Sequence, residues 1–213
     1  MEGIERMDQG MQPDNKANTP FQSHVGNSAG NAVTPPHLGG HLNKTHIDEG
    51  ALDYLIKKFE IQSMLDIGCG PGGMIGVARA KGLDAWGIDG DPSCAGVHTF
   101  IHDYTDGQTG RELLGGQCFD LGWSVEFVEH VEDRFVWAFL KDFMRCKYVL
   151  MTHAPPGTPG HHHVNCRPAN DWIDLFGWAG FRLDFDTTME VRVASTMKKP
   201  FMQKHGLFFR NTQ

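Results

Sequence analysis

Met64-Leu65-Asp66-Ile67-Gly68-Cys69-Gly70-Pro71-Gly72-Gly73 runs an apolar strand straight into a glycine-dense bend, and Met74 to Lys81 continues as a helix-forming segment. Glycines at such a corner remove side chains, so backbone N–H groups and the helix N-terminus can approach a ligand closely. A second strand-like piece, Ala85-Trp86-Gly87-Ile88, ends in Asp89 and Gly90. That acid lies near the spacing of about 20 residues at which a carboxylate meets an adenosine ribose. A tight turn without a ligand rarely needs so many glycines, so the first βαβ unit reads as a nucleoside holder.

The turn does not say which nucleoside. Gly68, Gly70 and Gly73 satisfy G-x-G-x-x-G, the dinucleotide fingerprint, while Gly68, Gly70 and Gly72 equally satisfy G-x-G-x-G. Position between a strand and a helix, with the acid downstream, strengthens both readings alike.

The segment resembles motif I of the class I S-adenosylmethionine-dependent methyltransferases: an apolar pair, Asp, an apolar residue, then G-x-G-x-G. Later segments resemble the same family in its expected order. Asp89 stands where the family's ribose-binding acid stands. His102-Asp103-Tyr104, after Thr99-Phe100-Ile101, resembles the segment whose acid meets the adenine amino group. Phe119-Asp120-Leu121-Gly122-Trp123-Ser124, followed by Val125-Glu126-Phe127-Val128-Glu129-His130-Val131, resembles the fourth-strand motif FDxVxxxxxxEHV. Gly122 departs from it, standing where an apolar strand residue is usual. The resemblance spans about residues 45 to 213 and implies a doubly wound, mostly parallel seven-stranded α/β sheet, Rossmann-like, with the last strand antiparallel. It implies S-adenosyl-L-methionine as cofactor and S-adenosyl-L-homocysteine as product. It also favours methyl transfer over hydride transfer, because the residues after the fourth strand are enough to finish one sheet and little more. Methyl transfer asks less of the protein: the sulfonium is already activated, and an acceptor has only to be aligned and kept dry.

The 213 residues are 40% hydrophobic, ample for one core plus a tail. The net charge of −7 argues against a broad polyanion-gripping surface. Lys198, Lys199, Lys204, Arg192 and Arg210 read as a solvated hairpin at a sheet edge. No apolar run approaches a membrane span, and the first residues lack a signal-peptide core. The five scattered cysteines form no disulfide framework and no CxxC pair, so a reducing, cytoplasmic setting is expected.

Residues 1–40 are rich in Gly, Asn, Gln, Ser and Pro and read as a mobile tail, able to fold over the site when ligand is present, preceding a domain over 41–213. Thr45 and Asp48 are candidate caps for a helix carrying Ala51, Leu52, Leu55, Ile56 and Phe59. Strands are expected at 63–67, 85–88, 99–101, 119–124 and 148–152. Helices are expected at 134–145 and from 170 to 178. A further strand begins at 180–185, and Gly206 to Arg210 resembles the family's last strand.

Ligands in such a sheet sit at the carboxyl ends of the strands. The expected cofactor contacts are Asp66, Gly68, Cys69, Gly70, Gly72, Asp89, Gly90, Asp103, Tyr104 and Ser124. Glu126 follows strand 4 beside the expected acceptor position, whereas His130 is assigned a structural hydrogen bond. Thr152-His153-Ala154-Pro155-Pro156-Gly157-Thr158-Pro159-Gly160-His161-His162-His163 reads as a shaped loop over the strand ends. His153, His161, His163 and Glu126 are the candidate catalytic groups, a histidine there being able to take a hydroxyl proton near neutral pH. No metal is expected, because adjacent histidines diverge and the usual ligand spacings are absent. The expected acceptor is a small molecule methylated at oxygen or nitrogen. The alternatives are a nucleic-acid methyltransferase, which here lacks the Asn/Asp-Pro-Pro-Tyr/Phe signature, and a binding module without turnover.

Overall fold

The computed structural model describes residues 35–213, so the tail expected over 1–40 lies outside the described residues as far as residue 34. The strand-and-glycine punctuation of the sequence becomes a seven-stranded sheet. Its strands are β1 (Ser63–Ile67), β2 (Asp84–Asp89), β3 (Thr99–Ile101), β4 (Phe119–Ser124), β5 (Cys146–Met151), β6 (Phe181–Leu183) and β7 (Leu207–Asn211), in spatial order 3-2-1-4-5-7-6. β1 to β5 pair in parallel, and β7 lies antiparallel to both β5 and β6. Order reverses at β1, which has β2 on one side and β4 on the other. That reversal opens the crevice in which doubly wound sheets bind ligands.

Alternation along each strand divides the core into two apolar layers. Leu65 and Ile67 of β1, Val149 and Met151 of β5, and Leu207 and Phe209 of β7 face one layer. It is filled by Phe139 and Phe143 of α3 (Val136–Phe143) and by Trp172 and Phe176 of α4 (Ala169–Trp178). Met64, Leu150 and Phe208 face the other layer. There they meet α1 (Glu49–Phe59), α2 (Gly73–Ala80), Val191 of α5 (Phe185–Ala194) and Met202 of α6 (Phe201–His205). Gly122 belongs to this packing: a Cβ there would lie 3.0 Å from the Phe143 ring and 3.1 Å from Cys146 Sγ. The glycine that breaks the strand pattern makes room for α3.

Asp48 caps α1, accepting from Ala51 N at 3.1 Å, and it also accepts from Ser195 Oγ at 2.5 Å and Thr196 N at 2.9 Å. One fully buried carboxylate thus ties the first helix to the segment after α5. Thr45, the other candidate cap, serves α2 instead: its Oγ1 accepts from Gly73 N at 3.0 Å.

Three expectations need correction. The helix expected over 134–145 starts as a 3-10 turn, Asp133–Phe135, and is regular only over Val136–Phe143. β6 stops at Leu183, because Asp184 turns its carboxylate onto Thr187 N (3.0 Å) and Thr187 Oγ1 (2.8 Å) and starts α5. The C-terminal hairpin is therefore not a hairpin, since two helices separate its antiparallel strands. Two of its basic residues are structural: Arg210 pairs with Asp184 at 2.6 Å, and Arg192 Nε donates to Gly206 O at 2.9 Å. No described helix is long and apolar enough to cross a membrane.

Candidate functional site

The bend after β1 is held open by its glycines. Gly68, Gly70 and Gly72 all have left-handed φ, at 76°, 51° and 79°. Gly68 N and Cys69 N both donate to Ile88 O, at 2.8 and 3.2 Å, so the bend is fastened to β2. Asp89, at the end of β2, reaches back across it. Its Oδ2 accepts from Gly70 N at 2.7 Å and its Oδ1 from Asp91 N at 2.9 Å. A carboxylate has about four lone-pair sites, so even with the Cys94 thiol also beside it Asp89 keeps acceptor capacity for a ligand.

A cavity of about 450 Å³ opens at this end of the sheet. Asp66, Gly68, Cys69, Gly70, Asp89, Gly90, Asp103 and Tyr104 line it, as do Glu126, His161 and His163. Those eleven expected residues are brought together. Three others are not at its surface. Gly72 is the cap residue of α2. Ser124 is fully buried and donates to Ile67 O at 2.8 Å, a brace between β4 and β1. His153 is buried beyond β5, with Nδ1 bonded to Arg167 O at 3.2 Å and its ring 5.5 Å from that of His205. The glycine motif placed Gly72 in the site, and position after a strand placed Ser124 and His153 there; the side chains of those two found partners elsewhere.

Acidic groups dominate the β1–β3 side. Burial, reinforced by Asp89, pushes the Asp66 carboxyl well above the usual carboxylate range. Burial, with Asp66 and Asp89 nearby, raises the Cys69 thiol too, so it stays protonated. At Asp103 burial works the other way from its hydrogen bonds, and the bonds win. His37 Nε2 at 2.7 Å, Thr105 N at 2.9 Å and Thr105 Oγ1 at 2.8 Å hold its carboxyl below the ordinary value. Tyr104 donates its hydroxyl to Asp142 at 2.8 Å and presents its ring to the cavity. Lys44 is the sole lysine or arginine among the described lining residues.

Sequence reading expects the tail to fold over the site but names no residue there, and it gives residues 41–44 no role. His37, Leu38, Gly39, Gly40 and His41 all line the cavity. His41 Nε2 lies 3.1 Å from Asp91 Oδ2, and His161 Nε2 lies 3.1 Å from Leu38 O. Residues this polar, with few aliphatics, carry no periodic signal that pattern analysis reads.

The opposite wall follows β4. Glu126 sits at φ 55°, a left-handed conformation that costs a non-glycine residue roughly 1–2 kcal/mol. Glu129 is fully buried and its carboxyl meets that of Glu126, a contact two carboxyl groups can make only through a shared proton. Burial pushes Glu126 up to about 7 and Glu129 well above its ordinary value. Burial, with His163 adjacent, holds His130 down to about 4. The loop carrying His161 to His163 is stapled here: Val164 N and Asn165 N both donate to Glu129 O, at 3.1 and 3.0 Å.

These shifts set a pH dependence whose sign can be worked out. Between 4.5 and about 7 the native state keeps the Glu126 proton that the unfolded chain has released. Stability is therefore lost as pH rises through that window. His130 and His153, both near 4, act oppositely and lose stability as pH falls below 6.5. Comparing wild type with Glu126→Gln cancels the histidines. The variant is expected to gain about 1–2 kcal/mol relative to wild type between pH 4.5 and 7.5. Urea melts across that range check it, and a pH-independent difference would remove the assignment.

No family model matches this chain, and no curated protein does. Among solved structures it is similar to a TehB-like SAM-dependent methyltransferase from Corynebacterium glutamicum at TM-score 0.54 and 17% identity, covering 77% of this chain and 88% of that one. It is similar to a magnesium protoporphyrin IX methyltransferase from Synechocystis with bound SAH at TM-score 0.52 and 15% identity, covering 76% and 81%. The methyltransferase domain of bacterial CtHen1-C aligns at TM-score 0.51 and 14% identity, covering 77% and 96%. The chain thus has the Rossmann-like fold of these methyltransferases, with β7 antiparallel.

Proposed function

We propose that the chain is an S-adenosylmethionine-dependent methyltransferase acting at an oxygen or nitrogen of a small molecule. The observation that carries this is the chemistry of the bend. A dinucleotide places its pyrophosphate at the N-terminus of the helix after the glycines, on free amides. Here the first of those amides, Gly73 N, is already satisfied by Thr45, and the cavity beside it is walled by Asp66, Asp89 and Asp103. The carboxylates of Asp89 and Asp103 repel a pyrophosphate, and together with Asp66, which a cation would draw into its ionised form, they suit a ligand that carries an ammonium and a sulfonium.

In this reading the Gly68–Gly70 backbone lies along the methionine part of the cofactor, and Asp66 faces its ammonium. Asp89 takes the ribose hydroxyls on its remaining acceptor capacity. Asp103 takes the adenine amino group, with the Tyr104 ring alongside. The acceptor enters from the wall of Glu126, His161 and His163, where the closed loop excludes water that would compete for the methyl group. His153, lacking a place in the cavity, is left a structural role.

Calorimetric titration tests the cofactor. S-adenosyl-L-homocysteine is expected to bind one to one, and NAD⁺ to give no heat. The reverse result would overturn the reading. Labelled-methyl transfer into a metabolite extract, with RNA and DNA as parallel acceptors, then tests the acceptor class. Incorporation into nucleic acid alone would replace the small-molecule reading.

A further inference from the structure

The wall after β4 holds a cluster that the methyl-transfer reading leaves unexplained. Glu129 is fully buried, and apart from the proton it shares with Glu126 neither of its carboxyl oxygens has a well-formed hydrogen bond among the described residues. Leaving such a group unpaired is costly, and a native fold seldom does so without a reason. One ligand atom each from Glu129, His130 and His163 lies within 4.8 Å of the other two, a spread that fits around one metal ion. The histidine rings meet edge to face at 4.9 Å.

The supporting contact at His163 leaves its imidazole ready to ligate. His163 Nδ1 lies 3.1 Å from Thr158 O. A carbonyl only accepts, so Nδ1 carries the proton and Nε2 keeps its lone pair. The backbone carbonyl of His161 also lies on the His130 ring side of the loop and favours a ring proton there. Ring nitrogens anchored on carbonyls are the usual support of metal-bound histidines. Gly160 is part of the arrangement: a Cβ there would fall 2.2 Å from His163 Nε2.

We propose that Glu129, His130 and His163 bind one divalent first-row transition ion in the wall of the cavity, with Glu126 beside it. Two imidazoles and a carboxylate select such an ion over calcium or magnesium, which prefer all-oxygen sites. The expectation that adjacent histidines point apart holds within residues 161–163. His161 goes to Leu38, His162 packs near His37, and His163 alone joins Glu129 and His130 across the loop. The consequence for catalysis rests on the methyltransferase reading: Glu126, His130 and His163 line the cavity, and an ion held there would supply a Lewis acid for an oxygen acceptor, which would favour O-methylation.

Untagged, chelator-treated protein titrated with Co²⁺ tests the site, read by calorimetry and by visible absorption of the bound ion. One Co²⁺ per chain is expected. Glu129→Gln and His163→Ala are each expected to weaken binding by about tenfold or more, with circular dichroism unchanged. Gly160→Ala, which touches no ligand atom's chemistry but displaces His163, is expected to do the same. No stoichiometric uptake by wild type, or equal affinity in all three variants, overturns the proposal. S-adenosyl-L-homocysteine titrated without metal separates the two readings. Cofactor binding without Co²⁺ uptake removes the ion site alone, and Co²⁺ uptake without cofactor binding removes the methyltransferase reading alone.

Discussion

Gly68→Ala is expected to destabilise the fold by about 2–5 kcal/mol, the sum of two separate costs. The position has φ 76°, a conformation that costs an L-residue roughly 1–2 kcal/mol. The added Cβ would also lie 2.4 Å from Phe127 Cδ2 and 2.5 Å from its Cβ and Cγ. Phe127 cannot step aside freely, because its ring is wedged against Tyr104 at 5.9 Å and Phe139 at 5.3 Å. Overpacking of that kind costs roughly 1–3 kcal/mol. For a chain of this size the melting temperature should fall on the order of 5–20 °C. A drop under about 2 °C in a thermal melt would mean that the bend has more room than its contacts imply.

Asp89→Ala should raise the dissociation constant for S-adenosyl-L-homocysteine about 10- to 100-fold, or about 1–3 kcal/mol. Two effects act together. The ribose hydroxyls lose their acceptor, and the Gly70 and Asp91 amides lose the carboxylate that shapes the bend. Asp89→Asn separates the two. The amide oxygen can still accept from one amide, but the charge and half the acceptor capacity are gone, so an intermediate loss is expected. Calorimetry is the measurement, and wild-type affinity in the alanine variant would dismiss this placement of the ribose.

Much of the architecture is legible in the amino-acid order alone. β1 and β4 begin and end where apolar runs and glycine punctuation put them, because a strand buried on both faces writes its pattern locally. α5 is not legible. Its apolar residues have almost no preferred face, with Val191 buried and Phe185 and Val193 exposed, so helical periodicity has little to register.

At the site, the chain by itself determined the glycine bend and the acids facing it, Asp66, Asp89 and Asp103, since each lies on or just beyond a strand end. Tertiary structure decided which neighbours those groups keep. It turned Ser124 into a brace, gave Thr45 to the neighbouring helix, removed His153 from the cavity and brought residues 37–41 into it. It also set His163 against Glu129 and His130. The physical reason is one of range. Backbone conformation follows from neighbouring residues, whereas a side-chain partner across a loop exists only after the chain has closed on itself.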